Sequence, residues 1–150
     1  MAMIQLPSDF NAFLKLLNKN EVRYLLVGGH AVGYHGYIRG TVDMDVWVDR
    51  ADENPDRLVA ALAEFGFRGP QVSADVFRES GRIIRMGVPP IRIDLLTSLS
   101  GVDFAECYDT RQVVKWHDVI ASVISLPMLK LNKRASGRLK DLADLDHLDG

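Results

Sequence analysis

The first legible pattern is an apolar stripe. Phe10, Phe13, Leu14 and Leu17 recur at three- and four-residue intervals behind Pro7, Ser8 and Asp9, which predicts a capped amphipathic helix ending near Asn18–Asn20. Val22–Val27 is a short run of strand formers stopped by Gly28-Gly29. From His30 to Tyr37 the pattern turns weakly helical. Gly33 and Gly36 sit inside it, each costing a helix up to ~1 kcal/mol, so close packing is expected there rather than a free-standing helix. Val42–Val48 alternates cleanly, with Val42, Met44, Val46 and Val48 on one face and Asp43, Asp45 and Trp47 on the other. Asn54-Pro55 opens a helix with Leu58, Leu62 and Phe65 as its stripe, closed by Gly66.

Further along, Val76–Arg78 and Ile83–Met86 are expected to pair as a hairpin around Glu79-Ser80-Gly81-Arg82. Pro89-Pro90 breaks the pattern, after which Ile91, Ile93 and Leu95 alternate with Arg92 and Asp94. Val113 and Val114 suggest another short strand. Pro127 opens a helix through Lys133, and Gly137 separates it from a last helix over Arg138–Leu148. There is no repeat, low-complexity tract or long linker. The order helix, strand, helix, strand, helix, strands, helices reads as one mixed α/β (α+β) domain over residues 1–150.

Composition narrows the class without naming an activity. The hydrophobic fraction of 47% and charged fraction of 25% are those of an ordinary globular domain. No apolar run is long enough to span a bilayer and no basic-then-apolar leader opens the chain, so no membrane partner is expected. The single cysteine, Cys107, cannot form an internal disulfide and suits a reducing cytoplasm. A net charge of -2 argues against broad coating of nucleic acid. A local basic cluster of Lys130, Lys133, Arg134, Arg138 and Lys140 is either an anion-binding patch or a solvated helix face.

Candidate chemistry lies in the acids. A strand repeats every two residues, so Asp43 and Asp45 point the same way. Side by side they repel, and a hard divalent cation such as Mg²⁺ or Mn²⁺, with substrate phosphates completing its shell, would relieve them. Asp94, an acid between Ile93 and Leu95, could face the pair from a neighbouring strand and complete a two-metal site. Alone, an Asp-x-Asp pair is more commonly a polar strand face, and Asp94 could simply pair with Arg92. Gly28-Gly29, between strand and helix, would let a phosphate approach the main chain, or is a plain tight turn. The run Gly28-Gly29-His30-Ala31-Val32-Gly33 is not a dinucleotide fingerprint, and the spacing from Asp43 does not make a calcium loop. Arg39 could clamp a phosphate or steady its turn, and Lys130 could reach a triphosphate or lie on a helix surface. Trp47 reads as core packing before base stacking; Arg82 and Arg85 could contact acceptor or phosphates but read first as solvated; His30 and His35 read as packing residues, too few for zinc.

Taken together, Val27-Gly28-Gly29 followed by Asp43-Met44-Asp45-Val46 resembles the signature of the polymerase-β-type nucleotidyltransferase superfamily, with Ile93-Asp94-Leu95 matching its third acid. Gly28 to Val32, His35-Gly36, Arg39, Thr41 and Asp43-Met44-Asp45 are similar to the minimal nucleotidyltransferases of bacteria and archaea, including AbiEii-type toxins. Leu129-Lys130 and Arg138 through Leu145 resemble that branch's C-terminal helical motif. The resemblance covers roughly residues 20–148.

It implies a nucleotidyltransferase fold, a mixed β-sheet flanked by helices with C-terminal helices. It also implies transfer of a nucleoside monophosphate from a triphosphate to a hydroxyl acceptor on RNA, protein or a small molecule. Asp43 and Asp45 would hold both metals, and Asp94 would hold the catalytic metal and help deprotonate the acceptor. Gly28, Gly29, Arg39, Thr41 and Lys130 would contact the nucleotide. Gly29 stands where many members carry a phosphate-contacting Ser. A toxin–antitoxin partner fits this branch. The alternative is a catalytically inactive module that binds nucleotide or a partner protein.

Overall fold

The computed structural model describes residues 8–36, 43–88, 91–116 and 118–149. Chain order is α1 (Ser8–Lys19), β1 (Tyr24–Val27), α2 (Gly28–Tyr34), β2 (Asp43–Val48), α3 (Asn54–Phe65), α4 (Ala74–Arg78), β3 (Ile83–Val88), β4 (Ile91–Leu96), α5 (Phe104–Asp109), β5 (Gln112–Trp116), β6 (Val119–Val123), α6 (Leu126–Ser136) and α7 (Leu139–Asp149). The strands form one six-stranded mixed sheet in the order β3-β4-β2-β1-β6-β5. β2 pairs antiparallel with β1 and parallel with β4, and β3 and β5 run antiparallel to β4 and β6.

One face of β2 and β4 is closed. Met44, Val46, Val48 and Leu95 are fully buried, and α1 packs against α3 and over β6 and β4. Phe10, Phe13, Leu14 and Leu17 of α1 are at most 1% exposed, so the stripe that predicts the helix is the stripe that it buries. Asn54 ties the ends of two strands to α3. Its Oδ1 accepts from the Arg23 amide at 2.7 Å, and its Nδ2 donates to the carbonyls of Arg23 and Asp49. That anchor fixes β2 relative to β1 and so fixes the carboxylate strand. No helix among the described residues is long and apolar enough to cross a membrane.

The structure corrects the expected hairpin. Residues 74–78 are a one-and-a-half-turn helix, because Ser73 accepts from the Val76 amide and Phe77 buries completely beside α3. Five residues are too few for a 3.6-residue period to stand out from alternation. β3 pairs instead with β4, from Ile83↔Leu96 to Val88↔Ile91. Two further elements were not foreseen: α5, capped by Asp103 accepting from the Glu106 amide, and β6.

Candidate active site

Strand register brings the three acids together. Asp45 on β2 is opposite Asp94 on β4, and Asp43 lies two residues earlier on the same face. One rung runs across four strands as Val27, Asp45, Asp94 and Arg85, and the next as Asp43, Arg92 and Gly87. All three carboxylates line one cleft of ≈ 520 Å³, bounded on its far side by the 98–100 loop and the α6–α7 junction. Asn132 Nδ2 donates to the Ser100 carbonyl at 3.1 Å and holds the loop to α6. Gly101 lets them meet this closely: its φ is +76°, and a Cβ there would stand 2.3 Å from the Ala135 Cβ.

The acids differ in their surroundings. Asp94 is 7% exposed, and its Oδ1 accepts no hydrogen bond among the described residues; Arg92 Nε stands 3.4 Å away and Arg85 Nε 3.6 Å. Asp43 accepts a 2.7 Å hydrogen bond from Arg92 Nη2. Asp45 is held against Gly28. A Cβ on Gly28, whose φ is +66°, would fall 2.1 Å from Asp45 Oδ2, so only glycine leaves room for this carboxylate. Burial raises the Asp45 pKa, the charges of Asp94 and Asp43 raise it further, and Lys140 and Lys133 oppose the rise. Asp45 is therefore an acid short of positive charge.

The cleft as a whole is not. Arg82, Arg85, Arg92, Arg138 and Lys140 line it beside the three acids, an excess of cations that suits a polyanion. Sequence reasoning treats Arg82 and Arg85 as solvated and leaves the C-terminal cluster open. What the sequence does not show is the burial of Lys133, which reads there as a weaker choice than Lys130 for reaching a triphosphate. It is 3% exposed, its Nζ donates to Asp141 Oδ1 at 2.8 Å and stands 3.1 Å from Asp144 Oδ2, and Arg138 Nε reaches Asp141 at 2.7 Å. This buried network holds the α6–α7 junction that presents Arg138 and Lys140 to the cleft. A lysine set between Asn132 and Arg134 carries no signal of burial; the acids eight and eleven residues on were the available clue.

The other expected site residues fall differently. Lys130 pairs with Asp149 at 2.7 Å and lines a separate hollow with Leu126, Pro127, Leu131 and Arg134, so it is not among the cleft residues. α6 turns that side of the helix away, while Asn132 and Ser136 line the cleft. Arg39 and Thr41 lie outside the described residues. Gly28 and Gly29 open α2, Gly29 buried beside the strand. Trp47 is core: it is 2% exposed and meets Phe104 edge-on at 5.1 Å. His30, also buried, lies edge-on to Phe10, and burial lowers its pKa to about 4. His35 lies within hydrogen-bonding distance of the Ile124 carbonyl, at 2.7 Å.

No protein-family model matches the chain, and no curated protein matches it. Among solved structures it is similar to a crystal structure from Thermotoga maritima described as a "putative nucleotidyltransferase". The TM-score is 0.64 at 14% identity, over 98% of this chain and 94% of that one. At that identity the likeness is one of fold, and the six-stranded mixed sheet with its flanking helices is a nucleotidyltransferase fold.

Proposed function

We propose that the chain is a metal-dependent nucleotidyltransferase that moves a nucleoside monophosphate from a triphosphate to a hydroxyl acceptor. The observation that carries this reading is the Asp45↔Asp94 register with Asp43 two residues away, all three opening into a cleft rich in arginine. The donor set suits a hard divalent ion such as Mg²⁺ or Mn²⁺: oxygen ligands only, one of them the buried Asp94 Oδ1 that accepts no hydrogen bond among the described residues. As placed, no three His, Cys, Asp or Glu side chains among the described residues form a ready cage, and Arg92 and Arg85 stand against the acids instead. Asp43, Asp45 and Asp94 would hold the metal, which when bound neutralises charge on the reacting phosphates.

The remaining work belongs to the chain. Arg82, Arg85, Arg138 and Lys140 would orient the triphosphate in the cleft. Gly28-Gly29, which open α2 with Gly28 against the Asp45 carboxylate, would let a phosphate approach the backbone. The acceptor oxygen would bond to the α-phosphorus as the bond to pyrophosphate breaks, and Asp94 would take the acceptor proton. The acceptor is RNA, protein or a small molecule. A toxin–antitoxin setting fits the sequence resemblance.

Labelled nucleoside triphosphate incubated with total cellular RNA, and with the protein itself, tests the proposal. Asp94→Asn should keep most nucleotide binding and lose at least ~10²-fold in turnover, the lower range for a lost general base. Equal activity in Asp94→Asn would remove that assignment. Nucleotide binding without transfer to any acceptor, by wild type under every metal tried, would favour the non-catalytic module.

A further inference from the structure

The carboxylate cleft carries its own cations, and one of them, Arg92, stands against two of the three acids. Arg92 lies on β4 opposite Asp43 and two residues before Asp94, so strand geometry alone puts it on the carboxylate face. Its Nη2 donates to Asp43 Oδ2 at 2.7 Å, and its Nε is 3.4 Å from Asp94 Oδ1. The guanidinium thus spans acids from two different strands. Gly87, opposite it on β3, has no side chain to confine it. The Arg92 side chain keeps 28% exposure, against 3% for Lys133 in its buried network, and it lines the cleft. One cation is locked in place, and the other has a way out.

A Mg²⁺ held by Asp43 and Asp94 would need their oxygens within about 2.1 Å. The guanidinium already stands against Asp43 Oδ2 and Asp94 Oδ1, so the two cations compete for the same acids. Resting on the metal-dependent reading above, we propose that Arg92 is an internal counter-cation of the metal site. It bridges Asp43 and Asp94 without metal, yields to the divalent ion, and turns to the phosphates of the incoming triphosphate. Arginine suits the exchange because its planar fork matches carboxylate and phosphate alike. The free chain then takes up metal weakly. Metal and triphosphate bind cooperatively, because the anion gives the displaced guanidinium a new partner.

The test is Mn²⁺ binding to the full chain, followed by electron paramagnetic resonance with and without a triphosphate analogue that cannot be cleaved between its α and β phosphates. Arg92→Gln should bind Mn²⁺ alone about tenfold more tightly than wild type, and the further gain from the analogue should shrink. A residue that merely props the fold would lower Mn²⁺ affinity when removed. Arg92→Lys keeps the charge but not the span and should gain about threefold; it decides the matter if the Gln variant does not fold. Suppose wild type binds Mn²⁺ with the analogue, while the folded variant binds the ion no better than wild type. The counter-cation role then falls and the metal-dependent reading stands. Absence of Mn²⁺ binding by wild type and both variants, with and without the analogue, overturns both.

Discussion

At the α6–α7 junction, Asp141 and Asp144 are almost fully buried and share the Lys133 ammonium, with Ser136 and Arg138 also donating to Asp141. In the cleft, Asp43 and Asp45 are only half-buried, and three acids from two strands face one another. Burial on its own raises the Asp141 pKa, yet the hydrogen bonds from Lys133, Ser136 and Arg138 and the Lys133 charge outweigh it and bring the value down to about 2. Burial and like charge push Asp45 the other way. The same residue type is thus a strut at Asp141 and an acid short of positive charge at Asp45. Buried acids with their donors in place hold a fold, whereas acids crowded on a sheet face keep free energy in reserve for a ligand.

The contrast breaks most sharply at Asp141. Asp141→Asn strips the buried Lys133 of one charge partner and should cost about 3 kcal/mol in urea unfolding, the lower range for breaking a buried pair. A loss within experimental error would mean that Asp144 alone holds the junction.

Acid titration of stability sharpens it next. The Asp141 pKa is depressed in the fold, so its contribution is fully present above the unfolded value of about 3.9 and is lost as pH falls toward about 2, roughly 2 kcal/mol in all. Asp45 has the opposite sign. Its raised pKa penalises the fold at neutral pH, and the penalty lifts as pH falls through the folded value. Melting temperature of the metal-free protein should therefore rise slightly and then drop on acidification. A monotonic fall that starts near neutrality would contradict the Asp45 half.

The smallest effect is at Asp45 itself. Asp45→Asn should raise metal-free stability by up to ~1 kcal/mol, because it removes a desolvated charge beside two others, while abolishing Mn²⁺ uptake. Destabilisation would recast Asp45 as structural.

Much of this arrangement is legible in the chain. The Phe10, Phe13, Leu14, Leu17 stripe and the Pro55-to-Gly66 helix are local signals, and α1 and α3 follow them closely. Alternation around Asp43-Met44-Asp45 and Ile93-Asp94-Leu95 marks both acid strands and their faces. β6 escaped because an apolar residue, Ile120, occupies an exposed position, leaving Ser122 as the one polar residue of its outward side and no clean alternation over Val119–Val123. The cations were harder to place. That Arg92 stands opposite Asp43 depends on β2 pairing with β4, 49 residues apart in sequence, and that Lys133 is buried depends on how α6 meets α7. Neither follows from periods of two or 3.6.

One consequence of the β2–β4 pairing concerns the order in which charge is assembled during folding. β2 leaves the ribosome carrying Asp43 and Asp45, two like charges on one face, and its parallel neighbour is made only after α3, α4 and β3. A lone third acid arriving on β4 would be repelled by the pair that it must join. Arg92 and Asp94 are two residues apart, so they reach the same sheet face together, and Arg92 meets Asp43 as Asp94 meets Asp45. The strand that adds the last negative charge brings its own neutraliser, so pairing β4 with β2 leaves the net charge of that face unchanged.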